Sequence, residues 1–215
     1  MPLNFEKFLL IFPPRPSNAI NPAAVNQFPG FIGQYKYNDT RNLIYIFPDG
    51  HIELYNRHKE RHLTYKPTKN MLQSIKSLNF PLCRFHVLDS GLMHNKTRNI
   101  KDRIILWDIL VFNGKYLIGT TYNWRYELLR KLVGDPTEPE DETGHRIALR
   151  INRNLWLAPI FTENLDAKYK QLLHMDEIEG LVLKDPNGKL EWGIRPENNG
   201  SWQIRVRKPN PNYSF

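Results

Sequence analysis

Apolar and polar residues alternate with a period of two over much of the chain, and turn residues cut that pattern into short segments. Phe31 to Phe47 is strand-like, Asp49-Gly50 makes a tight hairpin turn, and His51 to Tyr55 returns with Ile52 and Leu54 on one face. Further strands are expected at Cys83–Leu88, Arg103–Phe112, Tyr116–Ile118, Gly180–Lys184, Lys189–Ile194 and Trp202–Arg207, with Asn113-Gly114 as a second two-residue hairpin. The period changes to that of a helix in three places. Thr68 can cap a helix running to Leu78, with Met71, Leu72, Ile75 and Leu78 on one side, and Trp124–Leu132, ended by Gly134, and Asn164–Leu173 are the other two. Hairpin-linked strands with a few outer helices predict an α+β domain of antiparallel sheets.

Residues 13–30, rich in Pro, Asn and Ala, read as an extended leader laid along the surface, with the sheet beginning after it. This divides the chain into an N-terminal extension at 1–30 and one catalytic-size domain at 31–215. The Pro-containing acidic stretch at 135–143 reads as a surface loop.

Composition narrows the class. At 215 residues and 40% hydrophobic content the chain can bury one substantial core. No apolar run approaches the roughly 20 residues of a membrane helix, and Phe8–Phe12 is short and lacks a cleavage site, so a soluble chain without a signal peptide is expected. Cys83 is the only cysteine, which excludes an internal disulfide and fits a reducing cytoplasm. Thirty Lys and Arg against twenty-two Asp and Glu leave +8, a balance that favours a phosphate-rich partner. Five of the acids lie in the 135–143 stretch, so the remaining surface is more basic than the total. The seven histidines lack tight ligand spacing, and no zinc site is expected.

Four short elements carry chemistry, chiefly through their order. Gln34-Tyr-Lys36-Tyr-Asn-Asp39-Thr-Arg41 comes first and Asn56-Arg57 second. Leu88-Asp89-Ser-Gly91-Leu92 follows with Ile105-Leu-Trp107-Asp108, and Glu179-Gly-Leu-Val-Leu-Lys184 comes last, with Arg205-Val-Arg207-Lys208 behind it. Taken singly each is weak: Lys36 reads as a solvated strand-end lysine, Trp107 as a core aromatic and Glu179-Gly180 as a turn into a strand.

In this order the elements resemble the collinear motifs of the covalent nucleotidyltransferase superfamily, which contains ATP-dependent DNA ligases, RNA ligases and mRNA capping guanylyltransferases. The resemblance spans about residues 31–209. It implies a ligase/capping-type nucleotidyltransferase domain of antiparallel sheets with flanking helices, ATP-grasp-like in outline. It implies Lys36 as the nucleophile that takes up AMP, with Arg41 and Arg57 at the matching arginines and Trp107 stacking on the base. Glu179 then helps hold the catalytic metal, Lys184 contacts the α-phosphate, and Arg205 and Arg207 stand at the paired lysines of the final motif. Gln34 and Tyr35, beside the nucleophile, join the nucleotide-binding set. ATP and Mg2+ (or Mn2+) are the cofactors implied, with Glu179, Asp89 and Asp39 as metal candidates.

The chemistry fits these roles. An attacking lysine must lose its proton, and cations such as Lys184 and Arg205 brought close to Lys36 would disfavour its ammonium form while binding the α-phosphate. Three positions depart from the family pattern: Asn38 and Asp39 replace an acid and a glycine, and Gly91 stands where a glutamate is usual. Asp39 is expected to supply, from one loop, the carboxylate that Gly91 no longer supplies from the other, close to the ribose or the metal.

Lys184, five residues after Glu179, is the ligase-like form of its motif and favours ATP and polynucleotide joining. The Gln34 amide can accept from an adenine amino group or donate to a guanine carbonyl, so GTP stays open. The chain stops soon after the last motif, without the C-terminal OB domain of DNA ligases, which favours an RNA ligase acting on 5′-phosphate and 3′-hydroxyl ends over a DNA ligase. A DNA ligase, a capping enzyme, a catalytically decayed nucleic-acid-binding module, and a subunit meeting its closing domain in trans are the alternatives.

Overall fold

The computed structural model describes residues 12–62, 64–134, 136–137, 147–192 and 199–209. Its strands form two sheets. The smaller has the order β1 (Arg15–Ile20), β11 (Asn199–Arg207), β10 (Ile178–Lys184), β2 (Ile32–Tyr37). The larger runs β4 (Ile52–Tyr55), β3 (Thr40–Ile46), β5 (His86–Met93), β6 (Arg103–Phe112), β9 (Leu155–Leu157), β8 (Leu149–Arg150), with β7 (Lys115–Tyr116) paired to β6. Pairing is antiparallel except for β1 with β11 and β6 with β9. The mixed α+β class is as expected, and the two parallel pairs qualify the expectation of hairpin-linked antiparallel sheets.

The strand expected over Phe31–Phe47 is two strands in different sheets. After Tyr37 the chain turns at Asn38-Asp39 and enters the larger sheet at Thr40. That crossing ties the two sheets together beside Lys36. The leader also differs from expectation, because Arg15–Ile20 is an edge strand of the smaller sheet rather than a surface tail. Pro16 is tolerated there because an edge strand leaves one side of its backbone unpaired.

The hairpin turns have the expected chemistry. Asn113 and Gly114 take φ of 53° and 73°, the left-handed pair that a two-residue turn between twisted strands requires. Helix α1 (Lys69–Lys76) starts where Thr68 accepts a hydrogen bond from the Met71 amide. Helix α2 (Tyr122–Val133) begins two residues earlier than its apolar pattern suggests, because Thr121 caps it by accepting from Trp124 N. Gly134, at φ 79°, follows its end. Helix α3 spans Leu165–Leu172. Lys189 makes only a bridge to Thr121 and starts no strand, and positions 193–194 of that expected segment lie outside the described residues. So does the acidic 135–143 stretch apart from 136–137.

Two apolar clusters result. One packs α1 and α2 against the larger sheet through Met71, Ile75, Leu106, Leu110 and Leu129. The other gathers Tyr35, Leu181 and Val206 of the smaller sheet, Ile105 and Trp156 of the larger, and Leu165 and Leu172 of α3. The smaller sheet therefore has one face in this second cluster, and period two sends its other residues to the opposite face. No helix among the described residues is long and apolar enough to cross a membrane.

Candidate nucleotide-binding site

The register of the smaller sheet assembles the site. Lys36 pairs with Gly180 and Gln34 with Val182, while Arg205 lies across from Val182, Arg207 from Gly180 and Gln203 from Lys184. Because Tyr35, Leu181, Leu183, Ile204 and Val206 face the core, the residues between them on all three strands share the other face. That face is one wall of a groove of about 1010 Å3. Trp107 and Arg41 from the larger sheet line the groove as well, Arg57 lies in its rim, and the Asn38-Asp39 turn joins its two walls.

A bulge between Ile178 and Gly180 breaks the alternation and brings the Glu179 carboxylate onto Lys36 Nζ as an ion pair. Gly180 makes this possible. Its φ is 154°, and a Cβ there would lie 1.9 Å from the Val206 carbonyl oxygen. Both partners remain part-exposed to the groove, with 22% of the Lys36 side chain and 32% of the Glu179 side chain accessible.

Lys184 lies deeper. Its Nζ donates to Gln34 Oε1 at 2.6 Å and sits 4.1 Å from the centre of the Tyr122 ring. Burial lowers its pKa to about 7 against the pull of Asp108 and Asp89. It pairs across from Ile32, four positions along β2 from Lys36, roughly 13 Å of strand. The charges acting on it are Asp108, Asp89, Arg41 and Arg125, so the expected clustering of Lys184 with Lys36 is not the arrangement found, and the immediate partner of Lys36 is an acid.

Gln34 is committed to this buried network. Its carbonyl oxygen also lies 2.8 Å from the Tyr122 hydroxyl, and its amide donates to the Ala158 carbonyl at 3.3 Å. Its carbonyl oxygen is engaged by Lys184 and Tyr122, while one of its two amide N–H donors goes to Ala158. Tyr35, expected beside the nucleotide, is among the groove-lining residues, while its ring lies in the second apolar cluster and packs edge-on to Phe161, 4.8 Å between centroids. Adjacent strand positions send their side chains to opposite faces.

Asp89 is corrected as a metal candidate. Arg41 grips it with two nitrogens, Nε to Oδ1 at 2.7 Å and Nη2 to Oδ2, and Arg41 Nη2 also donates to the Pro14 carbonyl at 2.8 Å. Burial raises the Asp89 pKa against the lowering effect of Arg41. Arg41 in turn sits 5.5 Å from the centre of the Trp107 ring, within cation–π range. The three expected ligands Glu179, Asp89 and Asp39 do not gather into a metal-holding cluster among the described residues. Glu179 and Asp39 are the carboxylates left facing the groove, and Mg2+ commonly takes one or two carboxylates together with substrate phosphates, so the donor set fits.

The motif reading missed several groove residues. Pro13, Arg15 and Pro16 arrive from the leader, and Lys96 comes from the loop after β5, with Lys96 Nζ donating to the Asp39 carbonyl and Asn38 to the Lys96 carbonyl. No local signal marks the leader residues, whose placement depends on pairing with β11.

Comparison with known proteins bears on this arrangement. Residues 93–202, half of the chain, match the family model of the ATP dependent DNA ligase domain. The chain belongs to that ligase family. No curated protein sequence matches it. Among solved structures, this ligase-family chain is similar to mycobacterial DNA ligase D complexed with ATP and MES, with 14% identity over 94% of this chain and 62% of that one, and a TM-score of 0.61. The ligase domain of M. tuberculosis LigD gives 14% identity, 93% and 60% coverage, and 0.63. The ATP-dependent DNA ligase of bacteriophage T7 in complex with ATP gives 12%, 93% and 68%, and 0.53. At these identities the likeness establishes the nucleotidyltransferase-domain fold. The chain spans about three fifths of the length of the two ligase D structures.

Proposed function

We propose that the groove is the adenylylation site of an ATP-dependent polynucleotide ligase, with Lys36 as its covalent nucleophile. The observation that carries this reading is the Lys36–Glu179 ion pair, set in a groove lined by Arg57, Lys96, Arg205 and Arg207 with an aromatic ring on the facing wall. One amine among several cations is suited to attack a polyphosphate.

For attack, the Lys36 ammonium releases its proton to solvent, to which the pair is part-open, and Glu179 stays a carboxylate. The freed amine then forms an N–P bond to the α-phosphorus of ATP as the bond to the β-phosphate oxygen breaks and pyrophosphate leaves. Arg205 and Arg207 share the groove with that leaving group and offset its charge, as arginine forks do on phosphate oxygens. Lys184 is the deep cation, charged when an anionic phosphate approaches it. Glu179, with the substrate phosphates, would hold a Mg2+ or Mn2+ ion that neutralises phosphate charge. AMP is next transferred to a 5′-phosphate end, and attack by a 3′-hydroxyl joins the strand and expels AMP.

The expectation of RNA over DNA rested on where the chain stops and has no counterpart in the site. The matched family and the structures named above are DNA ligases, and nicked DNA is the substrate proposed. Incubation with labelled ATP and Mg2+ should yield a covalent protein–AMP adduct that Lys36→Ala abolishes. Adduct formation that survives Lys36→Ala refutes the assignment. Chasing the adduct with nicked DNA and with nicked RNA assigns the second substrate.

A further inference from the structure

Position 91 and position 39 compete for one space. A Cβ built on Gly91 would lie 2.0 Å from Asp39 Oδ2, 2.6 Å from Asp39 Cγ and 2.8 Å from Trp107 Cζ3. The Asp39 carboxylate therefore fills the volume into which a side chain at 91 would project from β5, and it does so against the edge of the Trp107 ring. The groove can accept a side chain from one of these two backbones, not from both.

The surroundings of that carboxylate indicate what it serves. Among the charges acting on it, Lys36 is the strongest, followed by Lys96, Arg41 and Glu179. Asp39 thus lies between the ring proposed to carry the base and the amine proposed to take the α-phosphorus. In a nucleotide, what joins base to α-phosphate is the sugar. A carboxylate is an acceptor with two oxygens, matched to a pair of vicinal hydroxyl donors.

We infer that Asp39 is the ribose-reading residue of this site, its carboxylate delivered from the β2–β3 turn into the space that glycine at 91 leaves open. The inference rests on Lys36 as the nucleophile proposed above and on Trp107 as the base platform that the family resemblance implies. It has a steric corollary: a carboxylate can be moved to position 91 only if it is removed from position 39.

The test compares rates of covalent adduct formation with ATP, 2′-deoxyATP and 3′-deoxyATP at equal Mg2+, alongside thermal melts. Loss of a hydrogen bond to a charged acceptor predicts that wild type prefers ATP over at least one deoxy analogue by about tenfold or more. Asp39→Ala should bring the ATP rate down to within about threefold of that analogue, whose own rate barely changes. Gly91→Glu alone should lower the melting temperature, because two side chains then contest one space. The double variant Asp39→Gly with Gly91→Glu, which leaves only the Trp107 ring to shift, should recover part of the melt and the preference for ATP. Equal losses for all three nucleotides in Asp39→Ala would show a structural, metal-holding or proton-accepting role and overturn the inference, as would an unchanged ATP rate. Adducts that form normally in wild type without sugar discrimination defeat the ribose assignment alone. No adduct with any nucleotide defeats the adenylylation reading, and this one with it.

Discussion

Asp39 and Lys184 carry opposite charges into one groove, and burial pushes both pKa values towards about 7, from 3.8 and 10.5 respectively. Between pH 3.8 and 7 the folded protein keeps a proton on Asp39 that the unfolded chain has lost, so this group makes stability fall as pH rises. Between pH 7 and 10.5 the unfolded chain holds a proton on Lys184 that the folded protein has released, so stability rises again. Together they place a shallow stability minimum near neutrality in the nucleotide-free protein. In melts against pH, Asp39→Asn should match wild type below pH 4 and exceed it by about 5 °C above pH 7. Lys184→Met should exceed wild type below pH 7, with the gap closing towards pH 10. Flat difference curves would show that neither group is held as described. Of the expected site residues, Lys36, Glu179, Trp107, Arg57, Arg205 and Arg207 all line the groove. Tyr35 turns its ring into the second apolar cluster, as strand alternation from Lys36 already implies. The commitment of Asp89 to Arg41 was not legible, since it depends on adjacent strands β3 and β5 bringing residues 48 apart in sequence into contact.

At the scale of elements, the site depends on the irregularity in β10. The bulge at Ile178/Gly180 and the absence of a Cβ at Gly180 let β11 approach and turn Glu179 towards Lys36. Gly180→Ala should cost more than about 3 kcal/mol in urea unfolding, because the added methyl meets backbone rather than a movable side chain. Adduct formation should fall with it, even at temperatures where the variant stays folded. Full adduct formation would show that Glu179 does not need this backbone. The capped helices and the Asn-Gly hairpin were legible because their signals are local. Strand β1 was not, because Arg15–Ile20 carries turn-like residues and gains its structure only by pairing with a segment about 185 positions away.

For the whole molecule, the groove rests on a buried ion pair beneath its floor. Arg125 of α2 holds Asp108 of β6 through Nε to Oδ1 at 2.8 Å and Nη2 to Oδ2 at 3.0 Å, with both side chains essentially inaccessible. Arg125 also lies within cation–π range of both the Tyr122 and the Trp202 rings, and Tyr122 in turn contacts Gln34 and the Trp107 carbonyl. Arg125→Met leaves Asp108 buried without its counter-ion and should destabilise the fold by about 3–5 kcal/mol. The double variant with Asp108→Asn should recover part of that loss, a coupling readable from urea unfolding of the four-member cycle. Additive effects would show that the pair does not act as a unit.

Motif order and local signals in the sequence determined the α+β class, most strands and helices and the family, and singled out Lys36 as the nucleophile proposed for it, since these depend on residue types at short spacing. Tertiary structure alone decided that the leader is part of the sheet, that Gln34 holds Lys184, and that Arg41 grips Asp89. It also decided that Asp39 occupies the space above Gly91. Each of these follows from which strands pair and in what register, and register is set by the burial of whole faces at once rather than by any one residue.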